Sequence, residues 1–440
     1  MHSSRFFPLA RHRQMAVLMA LVSCLAGSQV APGDIVVPGA NGSDGAFNPT
    51  SNIQVDLSLA PTGSWDGPNA NPGRGVYDPE KWAVVFRYTS VNIPSGVTVT
   101  FKNHPKNAPV VWLVSESVTI NGAIVLNGAA GHAAESPARP ATPGPGGFRG
   151  GTGSRTQQSS SAGYGVGGGP WASGLRGRGG AYATSLINTC EGAPGGATYG
   201  NAQVLPLIGG SGGSGTRSSN NRQGGGAGGG AILIAAARQI TLGSAGQIRA
   251  IGGGGSGAGS ICGVDTSSGG GSGGAIRLIA EAISGTGTLN AAGGGISDTG
   301  SVGGSGRIRI EGNAVSLPVS GPMFSLVPAG AIAQLWPAGD APTVRIAQIS
   351  GQPVPADPGA ELTFPDQDVT VPSGGSAVIR LECRNMPLNW IVRLRIVPLT
   401  GPDLTVTAVY VEGDALASVW QAQASLGVGF HTMQARAVSP

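Results

Sequence analysis

Arginine is the side chain concentrated enough in this sequence to suggest chemistry. Between Arg139 and Arg222 lie seven arginines (139, 149, 155, 176, 178, 217 and 222) against one acid, Glu191. The guanidinium fork matches carboxylate and phosphate geometry and stacks on rings. The surrounding glycines let a polymer backbone come close, because no side chain intervenes. Arg149, Arg176 and Arg178, near the aromatics Phe148, Tyr164 and Trp171, are therefore the candidate ligand-binding residues. Acidic polysaccharide or phosphorylated envelope glycans are the partners they suit. The plainer reading is that these arginines only keep a glycine-rich segment soluble.

Catalytic patterns also occur, and glycine abundance empties most of them. Gly209 to Gly213 fits the G-x-S-x-G nucleophile elbow, as does the stretch around Ser272. That elbow needs a helix after it, and neither site has one. "DTG" at Asp298 sits in a glycine loop rather than after an apolar strand. Asp366 and Asp368, and Asp78 and Glu80, read as solvated charges before they read as a Ca²⁺ site or an acid pair. The only lysines, Lys81, Lys102 and Lys106, do not follow a phosphate-binding turn. No HExxH or zinc-type Cys/His spacing occurs. The expectation is no cofactor, no metal and no enzyme. The alternative is a carbohydrate-active lyase or hydrolase using an outer face with Lys102, His104, Lys106, Arg249, Arg277, Glu281 and Arg309, though acids are scarce there.

These residues hang on a repeated element. "GGGAILIAAARQITL" (Gly228 to Leu242) recurs as "GGAIRLIAEAISG" from Gly273, as "SGRIRIEGNAVSL" from Ser305, and as "NAPVVWLVSESVTI" from Asn107. Each copy opens with two apolar residues around a variable one: Val110/Trp112, Ile232/Ile234, Ile276/Leu278 and Ile308/Ile310. Period-two alternation predicts strands, with isoleucines stacked inward and Leu233, Arg277 and Arg309 outward. Second and third short strands follow in each unit, so stacked units bury one face as coils of a solenoid. Glycines are expected at the corners.

The chain has 440 residues, 78 of them glycine and 11% charged, which does not fit an ordinary intracellular enzyme. Arg5, Arg11 and Arg13 precede "MAVLMALVSCLAGS", too short to span a membrane and suited to a signal peptide over residues 1–28. "LVSC" alternatively offers Cys24 for lipidation and outer-membrane anchoring. Without the signal arginines the charge is near neutral, which leaves nucleic acid binding without support. No later segment is long and apolar enough to span a membrane. In an exported chain Cys190 and Cys262 are candidates for a disulfide, while Cys383 in "AVIRLEC" reads as a buried thiol.

The phrases "IPSGVTVTF", "PGGFRGG", "YGNAQVLPLIGGSGGSG", "GGGAILIAAARQITL" and "GGSGRIRI" resemble those of secreted glycine-rich bacterial proteins of no assigned activity. The resemblance covers Val76 to Leu317. It implies export and a β-helix similar to the pectate-lyase-like and filamentous-haemagglutinin-like architectures. The expected fold is all-β: an extended segment over 29–75, a right-handed parallel β-helix over 76–319 with a protruding glycine-rich insertion over 132–230, and a β-sandwich over 320–440. The expected role is that of a non-enzymatic exported protein of the cell surface or extracellular matrix, structural or adhesive.

Overall fold

The computed structural model describes residues 33–60, 74–132, 139–154, 160–172, 176–187, 193–216, 223–257, 267–295, 301–319, 324–359, 367–372 and 375–440. The expectations for the signal segment with Cys24, for Cys190 and Cys262, for Arg155, Arg217 and Arg222, and for Asp298 and Asp366 lie outside these residues. The described chain is essentially all-β, with one short 3-10 turn at Leu57–Leu59.

Three parallel sheets are built by turns. The chain lays Ala83–Tyr88 into the first sheet, Val91–Ile93 into the second and Thr98–Lys102 into the third. It then repeats this order with Val110–Val114, Val118–Ile120 and Ala123–Val125, and again from Ala231 and from Ala275. Register follows the repeat: Ile232 pairs with Ile276 and Ile276 with Ile308, while Leu233 pairs with Arg277 and Arg277 with Arg309. One buried cluster draws on all three sheets, including Trp112, Ile234 and Leu278 from the first, Ile120 and Ile240 from the second, and Ile124 and Ile248 from the third. Each fully buried isoleucine contributes roughly 1.5–3 kcal/mol.

The opposite face of the first sheet is also covered. Ile35, Val37, Val204, Leu207, Ala333 and Leu335 pack over Val85, Val111, Leu233 and Ile279. Burial on both faces is why "AILIAA" lacks alternation. It also corrects the expectation that Leu233, Arg277 and Arg309 face solvent: Leu233 is buried and Arg309 half-buried. Arg277 does lie opposite the isoleucines, but it is 1% exposed. Its Nε donates to Glu311 Oε1 at 2.8 Å and its Nη2 to the Gln334 carbonyl at 2.6 Å. The parallel stack continues past residue 319, since Phe324–Val327 pairs with Arg307–Glu311 in the first sheet.

The glycine tracts are neither corners nor a protruding lobe. Residues 224–230 run buried, with donor directions that repeat every three residues. Gly224, Ala227 and Gly230 donate to His132, Ala129 and Leu126. Gly225 and Gly228 donate to Gly151 and Phe148, while Gly226 and Gly229 donate to Gly269 and Ser272. Period three is that of the polyproline II helix, which makes no internal hydrogen bonds and so bonds outward on three sides. Further rods accept and donate in turn: Gly213 donates to Gly226, Gly253 to Ala227 and Gly304 to Gly180. The insertion is thus woven with repeat segments into one bundle. Glycine is required here by close approach, as a Cβ on Gly226 would overlap the Gly253 carbonyl oxygen.

Beyond the stack, two antiparallel sheets share a core. One holds Thr343–Ile349, Gln352–Pro353, Ser376–Arg384, Val409–Gly413 and Ala417–Ser425; the other holds Ile391–Pro398, Leu404–Thr407 and His431–Val438. Ile379, Leu381, Cys383 and Trp420 meet Val392, Leu394 and Ile396 between them. Alternation in "NWIVRLRIV" leaves Arg393 and Arg395 on the opposite face, and that face meets the glycine bundle. Arg395 Nη1 donates to the carbonyls of Gly163 and Gly165 at 3.0 and 2.8 Å, and Val397 packs with Tyr164 and Ala162.

Candidate cleft between the parallel stack, the glycine bundle and the C-terminal sheets

Where these three parts meet, a cleft of about 660 Å³ opens. The end of strand Thr98–Lys102 and the loop after it supply Lys102, Asn103, His104, Lys106 and Asn107. The bundle supplies Phe148, Arg149 and Tyr164, and strand His431–Val438 supplies Gln434. Trp82 closes one side.

The loop "FKNHPKNAP" is tightly held. Asn107 N donates to the His104 carbonyl at 2.7 Å, and Gly146 N donates to the Asn107 carbonyl at 2.8 Å. Asn107 Nδ2 donates to the Gly147 carbonyl. Trp82 Nε1 donates to the Lys106 carbonyl at 2.9 Å. Trp82 and Asn107 both take left-handed backbone angles, with φ 47° and 49°. Asparagine tolerates that region, but for a bulky ring it is an outlier costing about 1–3 kcal/mol. Such strain persists where surrounding contacts over-determine it, and here those contacts shape one cleft.

His104 is 3% exposed and stacks on Tyr77 with ring centroids 4.1 Å apart. Burial lowers its pKa to about 4, against the opposing charge of Asp357 and with help from Lys106. The ring is therefore neutral at pH 7. Its Nδ1 accepts the Lys106 N–H at 3.1 Å, which assigns the proton to Nε2. That Nε2, and Asn107 Oδ1, are buried with no hydrogen-bond partner. An orphaned donor and an orphaned acceptor in one loop are an unusual pair, since buried polar groups are almost always satisfied. A hydroxyl can both accept from the first and donate to the second.

The charged side chains lining the cleft are cationic, while the Asp357 carboxylate lies behind them and accepts the Tyr77 hydroxyl at 2.6 Å. Lys106 Nζ donates to the Asp357 carbonyl at 2.8 Å, and Lys102 Nζ pairs with Asp56 at 2.8 Å on the outer side. Arg149 is partly buried and lines the cleft. Among the described residues lining it there is no carboxylate.

Of the three arginines singled out from the sequence, only Arg149 lines this cleft. Arg176 is 6% exposed and bridges in parallel to Ser267. Arg178 is partly buried, its N–H on Ser214 Oγ at 2.8 Å and its carbonyl accepting from Ser214 N. Both are part of the bundle's weave. Tyr164, read from the sequence as lying near these arginines, is buried as a packing anchor, and so is Tyr182. Ser211 and Ser272 are pegs of the same bundle: Ser272 Oγ accepts from Ser211 N at 2.8 Å and Ser211 Oγ from Gly167 N at 3.0 Å. Asp368 takes the Gly359 N–H at 2.6 Å, and Asp78 caps its own turn through Glu80 N and Lys81 N. Among the described residues no His, Cys, Asp and Glu cluster could hold a metal ion, and no helix is long and apolar enough to cross a membrane.

Sequence reasoning placed Lys102, His104 and Lys106 on the outer face of the enzymatic alternative, but missed Trp82, Asn107 and Gln434. A usable signal was present: two of the three lysines and a histidine fall within five residues of a sparsely charged chain. The chain matches no protein-family model, no curated protein and no solved structure.

Proposed function

We propose that this chain is a non-enzymatic exported protein of the cell surface or extracellular matrix, structural and adhesive, whose cleft binds acidic glycans. In this reading the three-sheet stack is a right-handed parallel β-helix and the C-terminal sheets are a sandwich packed against its glycine bundle. The regular return of the chain to each sheet, over one shared apolar interior, supports that architecture.

The observation that carries the functional reading is the lining of the cleft. Lysine and arginine heads attract carboxylate, sulfate or phosphate substituents. Trp82 and Phe148, both half-buried, offer apolar ring surface to a sugar face. His104 Nε2 and Asn107 Oδ1 are a donor and an acceptor left unpaired in the loop that lines the cleft. The alternative, a β-helix lyase or hydrolase, calls for paired carboxylates roughly 5–10 Å apart at the reacting bond. The described lining favours recognition over that chemistry.

The test is retention of polygalacturonate, against neutral dextran, on immobilised protein. Polygalacturonate should be held at low ionic strength and released as salt screens contacts over about 10 Å or less. Arg149→Ser and Lys106→Ser should weaken retention. New reducing or unsaturated ends after prolonged incubation would replace this reading with the enzymatic one.

A further inference from the structure

Beside the cleft lies a smaller pocket of about 180 Å³, between the bundle-facing strands Ile391–Pro398 and His431–Val438 and the rods carrying Gly168 and Ala197. Three arginines line it, Arg393, Arg395 and Arg436, against the single acid Asp403. Two of these four charges are committed to the fold. Arg395 Nε donates to Asp403 Oδ2 at 3.0 Å, and its Nη1 holds the two glycine carbonyls. Asp403 Oδ1 accepts the Trp171 N–H at 3.0 Å.

Arg393 and Arg436 are left over. They are direct cross-strand partners, which places their Cα atoms about 4.5–5.5 Å apart. Like charges directly opposite each other destabilise a sheet. Burial, and then the Arg393 charge, hold the Arg436 guanidinium below its ordinary range. Neither guanidinium makes a hydrogen bond or ion pair within the described chain. Gln434 lines this pocket and the larger cleft, and its buried side-chain oxygen is also without a partner.

We propose that Arg393 and Arg436 together receive one carboxylate or sulfate group of an acidic glycan whose chain lies in the adjoining cleft, with Gln434 between the two. The assignment rests on the glycan reading above and adds to it an acid-specific subsite on the C-terminal sheet. Two forks facing one anion neutralise the repulsion that the sheet otherwise carries. Uronic acids and sulfate esters are the two sources to be told apart.

Trigalacturonate, a sulfated heparin-derived tetrasaccharide and neutral maltotriose are titrated calorimetrically at constant ionic strength into wild type, Arg393→Gln, Arg436→Gln and Arg149→Ser. Arg393→Gln and Arg436→Gln should each weaken the preferred acidic probe about 10- to 100-fold, the range for a lost charge-assisted hydrogen bond. Whichever acidic probe binds more tightly to wild type identifies the source. Unchanged affinity in both glutamine variants overturns the subsite. If Arg149→Ser alone abolishes binding, the cleft stands without it. If only the glutamine variants weaken binding, the subsite stands and the cleft assignment falls. No binding of either acidic probe by wild type overturns both. Melting without ligand gives an independent reading. Removing one of two facing charges should leave the midpoint equal to or above wild type, and a lower midpoint would make the arginines structural and sink the proposal.

Discussion

Gly226→Ala measures what the glycine bundle requires. The new Cβ would overlap the Gly253 carbonyl oxygen of the neighbouring rod. An ordinary carbon–oxygen approach is about 3.3–3.6 Å, so the two rods must part by roughly an ångström or more. Two backbone bonds join them, Gly253 N to the Ala227 carbonyl at 2.7 Å and Ser256 N to the Gly224 carbonyl at 3.2 Å. Parting stretches both, and each buried group left unsatisfied costs about 1–3 kcal/mol. The lower chain entropy of alanine in the unfolded state returns about 0.4–1 kcal/mol. The net loss is about 2–5 kcal/mol, a large share of a typical folding free energy of about 5–15 kcal/mol. Gly339→Ala is the matched control, since a Cβ there meets nothing within 4 Å; it should be neutral or slightly stabilising. Urea unfolding reports the global change, and hydrogen exchange followed by mass spectrometry reports opening of the peptides spanning 224–230 and 250–256. If Gly226→Ala matches Gly339→Ala within about 0.5 kcal/mol, the usual scatter of surface substitutions, then close approach of backbones is not why glycine is needed.

Three further outcomes follow from buried groups. Glu311→Gln should cost about 3–5 kcal/mol in urea unfolding by stranding the Arg277 charge, whereas Arg277→Leu continues the Val111 and Leu233 column, leaves Glu311 paired with Arg309, and should be near neutral. His104 binds its proton less readily folded, near pH 4, than unfolded, near 6.5. Its contribution is therefore full above about pH 6.5 and falls as pH drops toward 4, and His104→Gln should flatten that part of the stability profile by about 1–3 kcal/mol; an identical slope in the variant would refute it. Cys383 is 1% exposed with its thiol pushed up to about 11 by burial, so it should resist alkylation at pH 8 until denaturant is added, and fast native labelling would contradict its place in the core.

The sequence by itself determined the strands of the parallel stack and their register. Apolar pairs around one variable residue repeat because each return of the chain must present the same face to the same interior, and Ile232, Ile276 and Ile308 align as that pattern demands. Alternation likewise marked Val392, Leu394 and Ile396 as core, and Cys383 with them. Three features were decided only by tertiary structure. Arg277 is buried because Gln334 and its neighbours, with Ile35 and Val37 from the other end of the chain, cover the second face of its sheet; local period cannot tell a face that meets water from one that meets a distant segment. The cleft gathers Trp82, His104, Arg149 and Gln434 from parts of the chain with no shared motif. The glycine tracts carry no side-chain pattern at all. Their order lies in backbone hydrogen bonds that leave each rod in three directions for three different segments, so it exists only once all those segments are in place.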